Sequence, residues 1–307
     1  SFPVELARYA RQHDLLEEPA FAWWANHALK KCDRILNKVK SKYWERTSKY
    51  GIEMPKSTAD AKRIDTENGN TLWMDAIRLE MANLMVAFQE FDGNPEDLNA
   101  KGFFKITGHL VFDVKLGENF RRKARFCADG HKVATPASIT YSSVVSRDSV
   151  RILLMIAALN ELELRAADIQ NAFLTAPNLE KCFMIAGDEF GPNKGKCYIV
   201  KRALYGLKSA SAAFRSFLAD KLDQIGFKSS LADPDVWMRP AIKPDGTRYY
   251  AYILCYVDDI LTIDVDAEKV MKEIGDERFK FKNDKIAEPD TYLGTRLKKR
   301  TLNGRDM

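Results

Sequence analysis

YYAYILCYVDDILTIDVD, residues 249–266, consists of two β-rich apolar runs meeting at a pair of acids, Asp258 and Asp259. Tyr252, Ile253, Leu254, Cys255, Tyr256 and Val257 precede the pair; Ile260, Leu261, Thr262, Ile263 and Val265 follow it. Runs of this composition suit strands buried on at least one face. Two residues is the commonest link between hairpin strands, so the acids read as the tip of a tight turn. Yet Asp-Asp lacks the glycine that such a turn favours at its second position. Adjacent carboxylates also repel unless a cation lies between them. The hairpin therefore raises the question of a metal ion, and of a third ligand.

Asp168 answers it best. It lies at the end of a strand-like stretch, 162–169, which follows an apolar helix predicted over 148–162. In a βαββ sheet that strand neighbours the hairpin, which brings Asp168 beside Asp258 and Asp259. Three carboxylates at one sheet edge suit a hard divalent cation. Mg²⁺ so held completes its shell with water and substrate phosphates, the pattern of two-metal phosphoryl transfer. The alternative is an unrelated acid at a strand end, since 90 residues (168 to 258) separate the two.

Further helices are predicted over 71–91, from Leu204 to about 225, and over 267–274. The first has Thr71 as N-cap and an apolar stripe of Leu72, Ala76, Leu79, Ala82 and Val86, widened by Trp73, Ile77 and Leu84. Strands are expected at 105–114 and 120–128, a hairpin with a very basic second arm, and at 183–185, 197–201, 279–281 and 290–297. From 148 onward the order is helix, strand, helix, strand-turn-strand, helix, strand. A ferredoxin-like α+β arrangement, an antiparallel sheet with helices on one face, satisfies it.

Residues 1–69 read as a separate N-terminal spacer, leaving 70–307 as the main domain. A short helix at 2–9 and the Trp-containing stretch 18–25 precede a basic amphipathic helix at 29–46. That helix is either a phosphate-contacting arm or a solvated face. The chain starts at Ser1 and stops at Met307 in a polar run, and reads as a piece of a longer polypeptide.

The 307 residues, 46% hydrophobic, suffice for one large domain or two modest ones. A net charge of +5 fits a nucleic-acid partner or simply a mildly basic protein. Five scattered cysteines without a C-x-x-C, and four isolated histidines, support neither a disulfide framework nor a zinc site. No signal peptide is present, and no apolar run approaches the ~20 residues of a membrane span. The expectation is an intracellular location with no membrane partner.

Five segments in order carry a resemblance. They are Arg122-Lys123-Ala124-Arg125, then Ala167-Asp168-Ile169-Gln170-Asn171-Ala172-Phe173-Leu174, then Arg202-Ala203-Leu204-Tyr205-Gly206-Leu207-Lys208, then Tyr256-Val257-Asp258-Asp259, and Tyr292-Leu293-Gly294. Together they resemble the reverse transcriptase of a copia-type LTR retrotransposon Pol polyprotein, a right-hand polymerase. The chain departs from that pattern at Ser209 and Phe214, where the family has Gln and Trp.

The resemblance implies fingers and a palm, with thumb, connection and RNase H missing. It implies an RNA-directed DNA polymerase adding dNTPs to a primer 3′-OH on an RNA or DNA template. Asp168, Asp258 and Asp259, with the backbone of Ile169, would hold two Mg²⁺ ions, or Mn²⁺ in their place. Lys123, Arg125, Phe173, Tyr205 and Gly206 would bind the dNTP, with the Phe173 ring excluding a ribose 2′-OH. Tyr256, Val257, Lys208, Tyr292, Leu293 and Gly294 would face primer and template. Partners would be an RNA template, a DNA primer, dNTPs, an upstream integrase and a downstream RNase H, in cytoplasmic virus-like particles. Two other readings stay open. One is an inert truncated remnant that only binds nucleic acid. The other is a palm-fold nucleotide cyclase, which explains the acids but not Ala203–Lys208 or the basic strand.

Overall fold

The computed structural model describes residues 48–132 and 140–298, with the backbone of 301–302 and 305–306. The predicted elements at 2–9, 18–25 and 29–46 lie outside the described residues. Two compact units make up the chain. In the first, residues 1–55 and 112–122, Ser48–Lys49 pairs with Ile52–Glu53, and Lys49 forms an ion pair with Asp113. The second, residues 56–111 and 123–307, holds every candidate site residue.

Helix α1 (Thr58–Glu67) is capped by Ser57, whose Oγ accepts from the Asp60 amide at 3.1 Å. Helix α2 (Leu72–Leu84) is not capped by Thr71, whose hydroxyl turns to Asp75. Its first amides, Trp73 and Met74, donate instead to the buried carboxylate of Asp65 at 3.1 and 2.8 Å. A carboxylate is the stronger partner for the positive end of a helix. The stripe expected to be inside is outside: Leu72, Leu79 and Val86 are exposed, while Trp73, Ile77, Met81 and Leu84 are buried. The helix also stops at Leu84 and not at 91.

Then follow β1 (Phe88–Glu90), α3 (Pro95–Ala100), β2 (Phe104–Ile106), β3 (Gly108–Lys115), β4 (Arg121–Ala128), α4 (Arg147–Leu159), β5 (Glu163–Asp168) and α5 (Ala172–Thr175). After them come β6 (Cys182–Ile185), β7 (Cys197–Val200), α6 (Ala210–Gln224), β8 (Lys228–Ser229), β9 (Val236–Ile242), β10 (Arg248–Tyr256), β11 (Asp259–Asp264) and α7 (Ala267–Ile274). A small hairpin follows, β12 (Thr291–Tyr292) and β13 (Thr295–Arg296), and beyond it Thr301–Leu302 pairs with Arg305–Asp306.

A four-stranded sheet has the order β1-β7-β6-β2. Phe88 and Tyr198 from it join Phe126 and Phe190 in an aromatic cluster, with centroids 5.3–6.4 Å apart. A five-stranded antiparallel sheet has the order β8-β9-β10-β11-β5. On the outer side of β5, isolated bridges join Ile169 to Phe281 and Ala166 to Ala287. The strand expected at 279–281 is reduced to the bridge at Phe281, beside which the Lys280 carbonyl accepts from the Gln170 amide at 2.9 Å; positive φ at Asn283 and Asp284 keeps it from extending further.

Helices cover both faces of the five-stranded sheet, not one. Val150, Leu153 and Ala157 of α4 pack on Val236, Leu254, Leu261 and Ile263. From the opposite face the Thr262 hydroxyl donates to the Ala267 carbonyl at the start of α7, at 2.8 Å. There too Arg239 reaches the Ile225 carbonyl after α6 and Glu273 of α7, at 2.7 and 2.8 Å. The reason lies in the runs themselves. Ile253-Leu254 and Ile260-Leu261-Thr262-Ile263 are all fully buried, and a continuous buried run requires cover on both sides.

Candidate active site

The register of β11 against β5 makes Asp259 and Asp168 direct cross-strand partners. Such partners have Cα atoms about 4.5–5.5 Å apart. Asp258 precedes them in the turn, and its carbonyl accepts from the Ile169 amide at 2.8 Å. The turn thus bolts the hairpin to the strand that carries Asp168. All three acids gather at one end of the sheet, as their strand positions led one to expect.

The turn differs in detail from the expectation. Tyr256 pairs with Asp259, so the two linking residues are Val257 and Asp258, and Asp259 opens the second strand. Val257 takes a φ of +56°, which a β-branched residue adopts only under strain. A polar pair attracts the turn assignment from sequence; the hydrogen-bond register places it one residue earlier.

The carboxylates crowd one another's charge. Burial first, then the charges of Asp258 and Asp168, push the Asp259 carboxyl up to about 6, with Lys282 opposing. Burial and then Asp168 also raise Asp258, against Arg125 and Lys282. The Lys282 ammonium lies 3.3 Å from Asp168 Oδ2. Among the described residues, no three acidic, histidine or cysteine side chains are arranged so that together they could hold a metal ion. The donor set itself fits a divalent cation: hard carboxylate oxygens, short of positive charge.

Around the acids stand the other expected residues. On β4, Ala124, Phe126 and Ala128 are buried, which sets Lys123 and Arg125 together on the other face. The Arg125 guanidinium lies 5.8 Å from the centroid of the Tyr205 ring. Burial, followed by the charge of Asp258, raises the Tyr205 phenol. The Phe173 ring meets Tyr205 edge-on at 4.7 Å and Phe214 at 6.1 Å. Phe214, where the chain departs from the family pattern, is thus the buried floor beneath Phe173.

Leu204–Lys208 does not open α6, which begins at Ala210. Gly206 has a φ of +93°, outside the helical region, and a Cβ there would strike the Ala128 carbonyl. The glycine is therefore required by the close approach of β4, which the Tyr205 carbonyl reinforces by accepting from the Ala128 amide at 2.7 Å. Lys208 and Ser209 lie in the next turn, just before α6. The amide and hydroxyl of Ser209 both donate to the buried Glu180 carboxylate, at 2.8 and 2.7 Å.

Tyr256 closes β10 and is exposed. Tyr292, expected to face the primer, is instead buried in the core with Val145, Leu254 and Leu261. Leu293 and Gly294, with φ of +47° and +76°, form the turn of the β12–β13 hairpin, so the strand expected at 290–297 is two short arms. Sequence reading missed Lys282, Glu180 and Glu80; the last accepts from the Phe126 amide at 2.9 Å. None lies in a motif, and Lys282 reaches Asp168 across 114 residues of chain.

A family model described as reverse transcriptase (RNA-dependent DNA polymerase) matches residues 98–305. The retrovirus-related Pol polyprotein from transposon RE1 of Arabidopsis thaliana is 33% identical over 145 residues, covering 46% of this chain and 10% of that polyprotein. Its counterpart from transposon RE2 of the same plant is 31% identical over 145 residues. The Pol polyprotein from transposon TNT 1-94 of Nicotiana tabacum is 25% identical over 268 residues, 85% of this chain and 20% of its own length. The chain spans no more than a fifth of these curated relatives. With a family match over more than half of its residues and the motif order intact, the chain belongs to the reverse transcriptase (RNA-dependent DNA polymerase) family.

Proposed function

We propose that the chain is the RNA-directed DNA polymerase segment of a copia-type retrotransposon Pol polyprotein. In this reading the five-stranded sheet is a palm and the region around β4 belongs to the fingers. The observation that carries it is the cross-strand pairing of Asp168 with Asp259, with Asp258 pinned beside them by the Ile169 amide.

Asp168 and Asp258 are the principal ligands of Mg²⁺ or Mn²⁺, with Asp259 and the Ile169 backbone beside them. When bound, the ions lower the pKa of the primer 3′-OH and neutralise the leaving pyrophosphate. Lys123 and Arg125 hold the triphosphate by charge-assisted hydrogen bonds. Phe173 stands under the sugar and rejects a 2′-OH by bulk. Tyr205 and Gly206 border the nucleotide, and Lys208 the template. Tyr256 and Val257 support the primer terminus, and the Leu293-Gly294 turn faces primer and template. Template choice is left to base pairing, with the protein contacting mainly backbone. Integrase and RNase H segments would accompany the chain in a full polyprotein.

Primer extension on poly(rA)/oligo(dT) with Mg²⁺ tests this. The wild type is expected to extend the primer, and Asp258→Asn to lose about a thousandfold in rate. No extension by the wild type, with retained binding of an RNA–DNA duplex, overturns the polymerase reading in favour of an inert nucleic-acid binder.

A further inference from the structure

Among the described residues, strand β4 pairs with a strand on one side, in the two-stranded β3–β4 sheet. An edge strand leaves every second amide on its outer side in need of a partner. At Ala128 that partner is the Tyr205 carbonyl, at 2.7 Å. At Phe126 it is Oε1 of Glu80, at 2.9 Å. Glu80 belongs to α2, a helix anchored by buried Ile77, Met81 and Leu84. Arg125, the residue next to Phe126, projects from the other face over the Tyr205 ring.

We infer that Glu80 is a positioning residue for the nucleotide: by holding the Phe126 amide it fixes the strand that aims Lys123 and Arg125 at the triphosphate. The inference rests on the polymerase reading above. Two further facts support it. Glu80 lies within electrostatic reach of both cations, since Lys123 and Arg125 counter the upward push that burial gives its carboxyl. The Phe126 and Ala128 amides flank Cys127 and hold the strand just after Arg125, so losing the first loosens the stretch that carries Arg125. The three aspartates sit on β5, on β11 and in the β10–β11 turn, whereas Glu80 bonds to β4, so the effect falls on nucleotide binding and not on the chemical step.

The test uses a fluorescent dATP analogue with Mg²⁺ and a dideoxy-terminated primer–template, so that binding is read without reaction. Glu80→Ala and Glu80→Asp, which cannot reach the amide, are expected to weaken the analogue about tenfold, the worth of one buried unpaired amide. Glu80→Gln keeps an acceptor oxygen in place and is expected to stay within about twofold of wild type. In primer extension KM for dATP rises in step while kcat holds, and hydrogen exchange at Phe126 quickens in the Ala and Asp variants. The Asp variant keeps the test open if the Ala variant fails to fold. Unchanged affinity in the Ala and Asp variants, a Gln variant as weak as they are, or a loss confined to kcat overturns the inference. If the unsubstituted protein binds no nucleotide, the polymerase reading falls first and the inference with it.

Discussion

Asp168 and Asp259 face each other across adjacent antiparallel strands, and the Lys282 ammonium sits 3.3 Å from the Asp168 carboxylate. Strand pairing forces the two acids together whether or not a cation is present. Burial first, and then the neighbouring carboxylates, raise Asp258 and Asp259, and that is the cost of the arrangement.

That cost predicts a pH dependence. In the unfolded chain Asp259 titrates near its ordinary value of 3.8, and in the metal-free fold burial and its acidic neighbours lift it to about 6. The folded state therefore holds this proton more tightly. Its penalty is absent below the unfolded value and is fully felt once pH has risen through about 6. Asp259→Asn should raise the melting temperature of the metal-free protein at pH 7.5, with the gain shrinking as pH falls toward 4. Lys282→Gln should act the opposite way, because it removes a charge that lowers both carboxyls. Thermal melts of the three proteins across that range, in a chelating buffer, decide it. A pH-independent gain for Asp259→Asn would sink the account.

Phe173 predicts sugar selectivity. In the polymerase reading its ring lies under the sugar, and edge-on contacts with Tyr205 and Phe214 restrict its movement away from an added hydroxyl. Phe173→Val should lower the preference for dATP over ATP by about tenfold to a hundredfold, the range open to steric rejection of one hydroxyl. The ratio of kcat/KM values for the two nucleotides measures it. An unchanged ratio would assign the ring to packing alone.

Val257 predicts a gain in stability. A β-branched residue at φ +56° carries about 1–3 kcal/mol of strain, which glycine relieves at the cost of backbone entropy. Val257→Gly should stabilise the fold by about 1 kcal/mol in urea titration. In the polymerase reading it should also reduce primer extension, since a freer turn holds the primer end less firmly. A loss of stability would mean that the Val257 side chain contributes more by contact than its backbone costs.

The sequence was legible where local pattern and tertiary need agree. The β-branched runs around the acids, and the strand ending at Asp168, emerge as β10, β11 and β5. Legibility failed where two patterns compete. Helix α2 carries two apolar stripes, and only burial of Trp73 and Ile77 shows which faces inward. Strand β9 leaves no clear strand pattern in the sequence, because Arg239 and Pro240 interrupt it; the proline is tolerated there in pairing with Tyr250. The turn was set one residue late because an Asp-Asp pair looks more turn-like than Val-Asp. Glu80, Glu180 and Lys282 could not be found at all, since each acts on a residue far along the chain, through geometry that only the fold creates.

Gly206 gives the sharpest test of how the site is assembled. Two features require glycine there: a φ of +93°, and the Ala128 carbonyl standing where a Cβ would project. That carbonyl cannot step aside, because the Ala128 amide is tied to Tyr205, and Gly130 in turn packs on the Gly206 carbonyl. Gly246 separates the two requirements, since it has a φ of +86° but nothing within 4 Å of a built Cβ. Gly246→Ala should cost about 1 kcal/mol, the conformational part alone. Gly206→Ala should cost about 3 kcal/mol or more, because backbone must shift as well. Urea unfolding of both variants measures the difference. Equal costs would show that β4 can retreat from the turn, and would remove the case that glycine is what lets the two pack closely.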